Sequence, residues 1–356
     1  MKLMITGICG FVGSNLARAF REEYPDWTIC GIDNFIRPGS QTNRRPLERM
    51  GVRVLSGDIR RPRDLQKLPG CDWVIDAAAN PSVLAGVDGK SSSRELVDHN
   101  LVGTINLLEY CKAARAGFVL LSTSRVYSIP PLAGLRVKRV KRGYSPQLRT
   151  TVPGVSPAGV SEGFSTAAPV SLYGATKLCS EVLALEYGDC FGFPVWVNRC
   201  GVMAGAGQFG RADQGIFAYW INAWLRERPL RYIGFDGQGS QVRDCLHPAD
   251  LLSLLTQQME AGAGDKRQRV QNVSGGLQSA MSLCQLSDWC TGRLGHRTVA
   301  VDAAPRPFDI PWMVLDSSLA LQQWNWAPQR TTLEILEEIA VHAEQNPDWL
   351  KLSGAI

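Results

Sequence analysis

The first 33 residues constrain this chain more than any other stretch. Lys2 to Thr6 reads as a short apolar strand, Gly7-Ile8-Cys9-Gly10-Phe11-Val12-Gly13 follows it, and Ser14 to Phe20 reads as a helix. Glycine at 7 permits a tight turn, glycine at 10 lets backbone approach a pyrophosphate, and glycine at 13 lets the helix pack on the strand. The helix N-terminus then offers an anion site. A second strand, Trp27 to Ile32, ends at Asp33, twenty residues past Gly13. A carboxylate there accepts from both hydroxyls of an adenosine ribose and repels a 2′-phosphate, which predicts NAD rather than NADP. Arg37 argues the other way, but Asn34 and the Pro38-Gly39 turn are expected to carry it outward. Strand before, helix after and an acid at this distance turn a weak glycine spacing into a strong sign of a nucleotide-binding α/β sheet.

The remaining composition narrows the class. The chain has 356 residues, 45% of them hydrophobic and 20% charged, which suits one large domain or two intimately joined ones. No apolar run approaches the ~18 residues of a membrane span, and Met1 leads straight into a strand, so a cytoplasmic location without membrane attachment is expected. Ten cysteines stand singly, with no Cys-x-x-Cys and only four histidines, so no metal is expected. The cysteines read as reduced, buried, small hydrophobes. The net charge is +5, but Arg136, Lys138, Arg139, Lys141, Arg142 and Arg149 crowd one stretch, and without those six the rest carries −1. A nucleic-acid surface is therefore not expected.

Tyr173-Gly174-Ala175-Thr176-Lys177 sets a phenol and an amine four residues apart, on one helix face. An ammonium beside a phenol favours the phenolate, so a group of ordinary pKa ~10 becomes a base nearer neutral pH. Upstream, Phe118 to Leu121 is an apolar strand that ends in Ser122-Thr123-Ser124-Arg125. Cys71 to Ala79 is another strand, whose exit Ala77-Ala78-Ala79 leaves room for a diphosphate and ribose. Between the hydroxyl-rich strand and the Tyr173 helix, residues 128–170 form a long Pro-, Gly-, Ser- and Arg-rich insertion, which must emerge beside the site mouth. Its basic side chains are candidates for clamping a pyrophosphate, for a solvated loop or for a subunit contact.

Together these features resemble the extended short-chain dehydrogenase/reductase family of NAD-dependent nucleotide-sugar epimerases and dehydratases. The resemblance implies a Rossmann-type doubly wound parallel sheet with a smaller, discontinuous α/β substrate domain. The expected NAD-binding domain is residues 1–198 and 243–267, with the insertion at 128–170. The expected nucleotide-sugar domain is 199–242 and 268–356, with Gln271 to Gly276 as its strand and turn. Ser282 to Leu294 and Leu333 to Ala343 read as amphipathic helices covering it, and Trp324 and Trp326 as core.

The resemblance also implies roles. Tyr173 is the base, Lys177 tunes it and holds the nicotinamide ribose, and Thr123 hydrogen-bonds the reacting sugar oxygen. Gly7, Gly10, Phe11, Val12, Asp33 and Asn34 line the cofactor's adenosine and diphosphate, and Asp58-Ile59 caps its adenine. Ala77, Ala78, Ala79, Asn100, Ser122 and Arg199 complete the cofactor set. Asn80, Ser82, Ser124, Arg125 and Gln208 line the sugar pocket. Arg243, placed within reach of His247, and Arg306 match the family's diphosphate-binding arginines, whose planar donors suit phosphate. Family dehydratases carry Asp-Glu where Ser124 and Arg125 stand, and a guanidinium is no general base, so elimination of water is disfavoured. Val202 replaces an Asn that holds substrate in many relatives.

Gly207 to Gly215, Gly237 to His247 and the ending His342 to Leu350 are most similar to the CDP-paratose 2-epimerase branch. That implies C2 epimerisation of CDP-paratose to CDP-tyvelose, by a homodimer formed through the Asn100 and Tyr173 helices. A UDP-sugar 4-epimerase, a nucleotide-sugar reductase and a non-catalytic NAD-binding scaffold stay open as alternatives.

Overall fold

The computed structural model describes residues 1–87, 89, 92–148, 152–262 and 264–356. In chain order its first half contains β1 (Lys2–Thr6), α1 (Phe11–Glu23), β2 (Thr28–Asp33), β3 (Arg53–Ser56), β4 (Trp73–Asp76), α2 (Gly103–Ala114) and β5 (Gly117–Thr123). The second half contains α3 (Ser171–Phe191), β6 (Val195–Cys200), β7 (Val202–Met203), α4 (Ile216–Leu225), β8 (Val242–Leu246), α5 (Leu252–Ala261) and β9 (Val270–Val273). It ends with β10 (Ala280–Ser282), α6 (Leu283–Leu294), β11 (Trp312–Met313) and α7 (Thr332–Gln345).

Seven strands form one parallel sheet in the order β9-β6-β5-β4-β1-β2-β3. The order reverses at β1 and β4, and ligands bind beyond the carboxyl ends of strands at such a switch point. Parallel strands are covered on both faces and so read as continuous apolar runs. Phe118, Val119 and Leu120 in β5 are accordingly fully buried. Two apolar clusters sandwich the sheet, one including Leu16, Phe20 and Trp196, the other Leu107, Phe118 and Val197.

Gly13 explains how tightly α1 can sit. A methyl group there would lie 2.3 Å from the Gly7 carbonyl oxygen and 2.8 Å from the Ile8 Cα. Gly7 itself turns the chain at φ +59°, a conformation that costs other residues.

The sheet corrects the expected domain boundary. Val270–Val273 is β9, paired along β6 from Val197–Val270 to Cys200–Val273, so it extends the large sheet. Conversely, Val242–Leu246 is β8, the centre of a separate small sheet with β7, β10 and β11. The helix between them, α5, returns the chain: Leu254, Leu255 and Met259 pack in the large sheet's core. Helices α4, α6 and α7 surround the small domain's own core, which includes Trp220, Cys290 and Ile339. Capping boxes at Ser282/Gln285 and Thr331/Glu334 start α6 and α7. Trp324 and Trp326 are buried, Trp324 edge-on to Trp196.

The insertion is not a solvated loop. Its Leu132, Val160 and Phe164 share a core with Val242, Trp312 and Leu315. Two short hairpins brace it, Val137–Val140 with Gly143–Pro146 and Val155–Ser156 with Gly159–Val160. Arg142 pairs with Asp288 of α6. Arg136, Lys138, Arg139, Lys141 and Arg142 are exposed, and Arg149 lies outside the described residues.

Eight of the ten cysteines are buried, whereas Cys179 and Cys190, on the outer face of α3, are exposed. Among the described residues no helix is long and apolar enough to cross a membrane, and no group of three or more His, Cys, Asp or Glu could hold a metal ion.

Candidate active site

A cavity of about 720 Å³ runs across the carboxyl ends of the large sheet and into the small domain, a size that suits small-molecule and cofactor sites. At one end lie Gly7, Gly10, Phe11, Val12, Asp33 and Asn34. Asp33 Oδ2 accepts from the Cys9 N–H at 2.9 Å and Oδ1 from the Phe35 N–H at 2.7 Å. Burial raises the Asp33 pKa, and the N–H groups of Phe35, Cys9 and Gly10 counter that. The carboxylate, with room for about four acceptor contacts, keeps capacity beyond these bonds. This glycine-lined groove at a helix start, ending at a carboxylate, fits an adenine dinucleotide: diphosphate over the helix N-terminus, ribose hydroxyls on Asp33.

At mid-cavity, β5 delivers Ser122, Thr123, Ser124 and Arg125 to the wall, opposite Tyr173 from α3. The helix approaches so closely because residue 174 is glycine: a methyl group there would lie 2.2 Å from the Arg125 carbonyl oxygen. Thr123 sits beside the Tyr173 phenol, and its Oγ1 accepts the Arg125 N–H at 3.2 Å. Burial raises the Tyr173 pKa, while Thr123 and the positive field of Arg125 draw it back. Lys177 lies one turn further along, buried and off the cavity wall, with its pKa lowered by burial and supported by Asp76 and Glu181. Contrary to expectation, the positive charge that draws the Tyr173 phenol down here is that of Arg125.

The far end belongs to the small domain. Arg243, Arg306 and Asp309 line it. Arg243 Nη2 is 3.3 Å from Asp309 Oδ1 and 3.0 Å from the Ile310 carbonyl oxygen. Burial lowers the Arg243 pKa, Asp309 opposes the shift and Arg306 adds to it. Guanidiniums gathered around one carboxylate offer the forked donors that phosphates take up.

Residues 3–274 match the model of the NAD dependent epimerase/dehydratase family. The chain belongs to that family. It is similar to a CDP-paratose 2-epimerase of Salmonella typhi, 28% identical over 349 residues that cover 92% of this chain and 95% of the relative. A UDP-glucuronate 4-epimerase of Arabidopsis thaliana is 27% identical over 351 residues, covering 92% and 71%. A UDP-glucuronic acid 4-epimerase from Bacillus cereus, solved in complex with NAD, superposes with TM-score 0.72 at 25% identity, over 98% of this chain and 100% of that one. The cofactor of this epimerase/dehydratase family enzyme is NAD.

Within this family frame, the structure places most but not all of the expected residues on the cavity wall. Ile59, Ala77, Ala78, Ala79 and Gln208 line it, as does Val202. Gln208 is oriented by its Nε2 bond to the Met203 carbonyl oxygen at 2.8 Å. Asp58 does not reach the wall: its carboxylate is engaged by Arg60 at 2.6 Å and Asn34 at 3.1 Å. Burial works against that carboxylate, but the Arg60 bonds hold its pKa well below the ordinary value. Asn100 is buried behind the wall, where its side chain accepts from Asn80 N–H at 2.8 Å and donates to Asn80 O at 3.1 Å. It therefore holds the loop rather than touching the cavity. Asn80 in turn accepts the Ser82 N–H at 3.2 Å, and Ser82 Oγ donates to Asp213 at 2.8 Å. Neither side chain lines the cavity. His247 points away from Arg243, accepting the Ala249 N–H at 3.2 Å and lying 3.4 Å from Glu338.

Two arginines depart further from expectation. Arg199 is buried against Glu181 at 2.7 Å, away from the cavity. Glu181 also accepts from Ser122, and Tyr127 links Arg199 at 3.4 Å to Asn272 at 2.6 Å. This network ties α3 to β5, β6 and β9. Glu181 has a signal in the sequence, since it stands four residues after Lys177 on the same helix face. Arg37 turns inward, donating to the Phe209 carbonyl oxygen, and it lines the cavity. Burial and the neighbouring Arg211 lower its pKa to about 10, with Asp213 opposing. Phe209 and Asp213 belong to residues 207–215, which thus touch both sides of the dinucleotide groove.

Proposed function

We propose that this enzyme inverts one carbinol of a nucleotide-diphosphate sugar, at C2 of CDP-paratose to give CDP-tyvelose. The observation that carries the reading is one cavity with the Tyr173–Thr123 pair midway between a dinucleotide groove and an arginine pair suited to a diphosphate. When bound, NAD supplies a reversible hydride acceptor. Tyr173, as phenolate, takes the hydroxyl proton as the carbinol C–H bond breaks with loss of hydride and the C=O bond forms. Thr123 steadies the oxygen throughout. The keto-sugar turns, hydride returns to its other face, and Tyr173 gives back the proton, so the sugar changes only in configuration. Arg243 and Arg306 hold the diphosphate during the turn. Lys177 is the ammonium that, with the cofactor in place, supports the phenolate and the nicotinamide ribose.

Ser124 and Arg125 line this part of the cavity, where dehydration requires an acid. The nearby carboxylate Asp309 is held by Arg243, which supports epimerisation over loss of water. The run Gln208-Phe209 with Asp213-Gln214-Gly215 supports the CDP-paratose branch. The second reading, a UDP-sugar 4-epimerase, is supported by likeness to the UDP-glucuronate 4-epimerase. A homodimer through α2 and α3 is supported by Val182 and Phe191, both exposed on α3.

Incubating NAD-loaded protein separately with CDP-paratose, UDP-glucose and UDP-glucuronate, without added dinucleotide, and following each by NMR tests the reading. CDP-tyvelose is the expected product. Galactose-configured products would install the second reading, and a requirement for stoichiometric NAD(P)H would replace both with a reductase.

A further inference from the structure

Arg125 occupies a position that neither the cofactor groove nor the arginine pair accounts for. Its backbone is fixed at the reacting centre: the N–H donates to Thr123 Oγ1 at 3.2 Å, and the carbonyl oxygen packs against Gly174, next to Tyr173. Its side chain lines the cavity, and Nη1 lies 3.3 Å from the Phe308 carbonyl oxygen, in the loop that carries Arg306 and Asp309. One residue, in the turn after β5 that packs on the base helix, therefore reaches the loop at the far end. Of five N–H donors on a guanidinium, the Arg125 guanidinium places one in a hydrogen bond among the described residues, that to Phe308. Protein surrounds it closely, yet it keeps an edge on the cavity.

The local charges show what that edge faces. Arg243 and Arg306 both repel Arg125, Arg306 repels Arg243, and Asp309 is the carboxylate that offsets Arg125 and Arg243. Burial and repulsion by Arg243 lower the Arg125 pKa to about 10. Arg231, further along the wall, is offset by Asp302 at 3.7 Å. Three cations against one carboxylate leave an excess of two positive charges, which is what a diphosphate diester, with one negative charge on each phosphate, neutralises. Arg243 and Arg306 approach from the small domain. Arg125 approaches from the Tyr173 side, where the proposed reading puts the sugar.

We propose that Arg125 is a third diphosphate-binding arginine, gripping the phosphate nearest the sugar and so setting the sugar's distance from Tyr173. This rests on the nucleotide-sugar reading above and deepens it: recognition requires both phosphates, not a nucleotide alone.

The test compares nucleoside diphosphates (CDP and UDP) with the corresponding monophosphates (CMP and UMP) by titration calorimetry on NAD-loaded wild type, Arg125→Met and Arg125→Lys. Hydrogen bonds to charged groups predict a loss of about tenfold or more in diphosphate affinity for Arg125→Met, with monophosphate and NAD affinities unchanged. Arg125→Lys, which keeps the charge without the fork, is expected to lose less, and it carries the test should Arg125→Met fail to retain NAD. Equal losses for diphosphate and monophosphate, or no loss for either, would overturn the assignment. Wild-type protein that binds NAD but neither diphosphate would instead overturn the nucleotide-sugar reading itself.

Discussion

The two ends of the cavity are built by opposite means. The dinucleotide end is built around backbone and glycine from residues 7–33, a contiguous stretch in which van der Waals contact sets the geometry. The other end is made of charged side chains from segments far apart in the chain, at 125, 243 and 306–309, held by long-range hydrogen bonds. A short local unit tolerates little change in shape. A dispersed cluster of like charges tolerates little change in electrostatics. The same cavity should therefore fail in two separable ways.

The largest effect is expected where the two ends meet. Tyr173→Phe removes the proton acceptor and should lower turnover by ~10²–10⁴, with dinucleotide and nucleoside diphosphate affinities both kept. A loss of either affinity would mean that Tyr173 organises the cavity rather than reacting in it. Next, Arg243→Met should weaken nucleoside diphosphate binding roughly 10- to 100-fold and leave NAD binding alone, since a charge-assisted bond to phosphate is lost. Parallel losses of both ligands would erase the distinction between the ends.

Asp244 probes the electrostatic end through pH. Burial raises its carboxyl from 3.8 to about 6, although Ser274 Oγ at 2.6 Å and the Leu315 N–H at 2.8 Å favour the charged form. The folded state therefore keeps a proton that the unfolded state gives up. Wild-type stability should fall as pH rises from about 4 through 6, by roughly 2–3 kcal/mol. Asp244→Asn lacks that slope, so denaturant titrations at pH 4 and 7 should show the variant gaining on wild type at the higher pH. A constant difference would place the Asp244 titration outside this window. Gly13→Ala tests the steric end. Its methyl group meets backbone at 2.3 Å, and overpacking of this kind costs about 1–3 kcal/mol. Thermal unfolding should detect the loss, with NAD affinity falling more than nucleoside diphosphate affinity.

The same contrast governs what could be read before the structure. The glycine spacing, Asp33, the Tyr173–Lys177 pair and the apolar strand before Thr123 carry local geometry, and local geometry is what a sequence states. Arg37 was beyond that reach, because the carbonyl that turns it inward comes from Phe209, 172 residues away. Arg199 looks like a cavity residue at the end of β6, until Glu181 supplies a buried partner. Val270–Val273 has the composition of a strand in either sheet, and only pairing with β6 decides between them. The insertion looks like a loop by composition because its few apolar residues, Leu132, Val160 and Phe164, are widely spaced and pack on another segment.

The most direct test is to mix NAD-loaded protein with a molar excess of CDP-paratose, adding no dinucleotide, and follow nicotinamide absorbance and fluorescence through the first turnover. The account predicts a transient reduced nicotinamide signal in the wild type that decays as CDP-tyvelose appears, and its absence in Tyr173→Phe. CDP-tyvelose formed with no reduced transient and no primary deuterium isotope effect at the reacting carbon would contradict it.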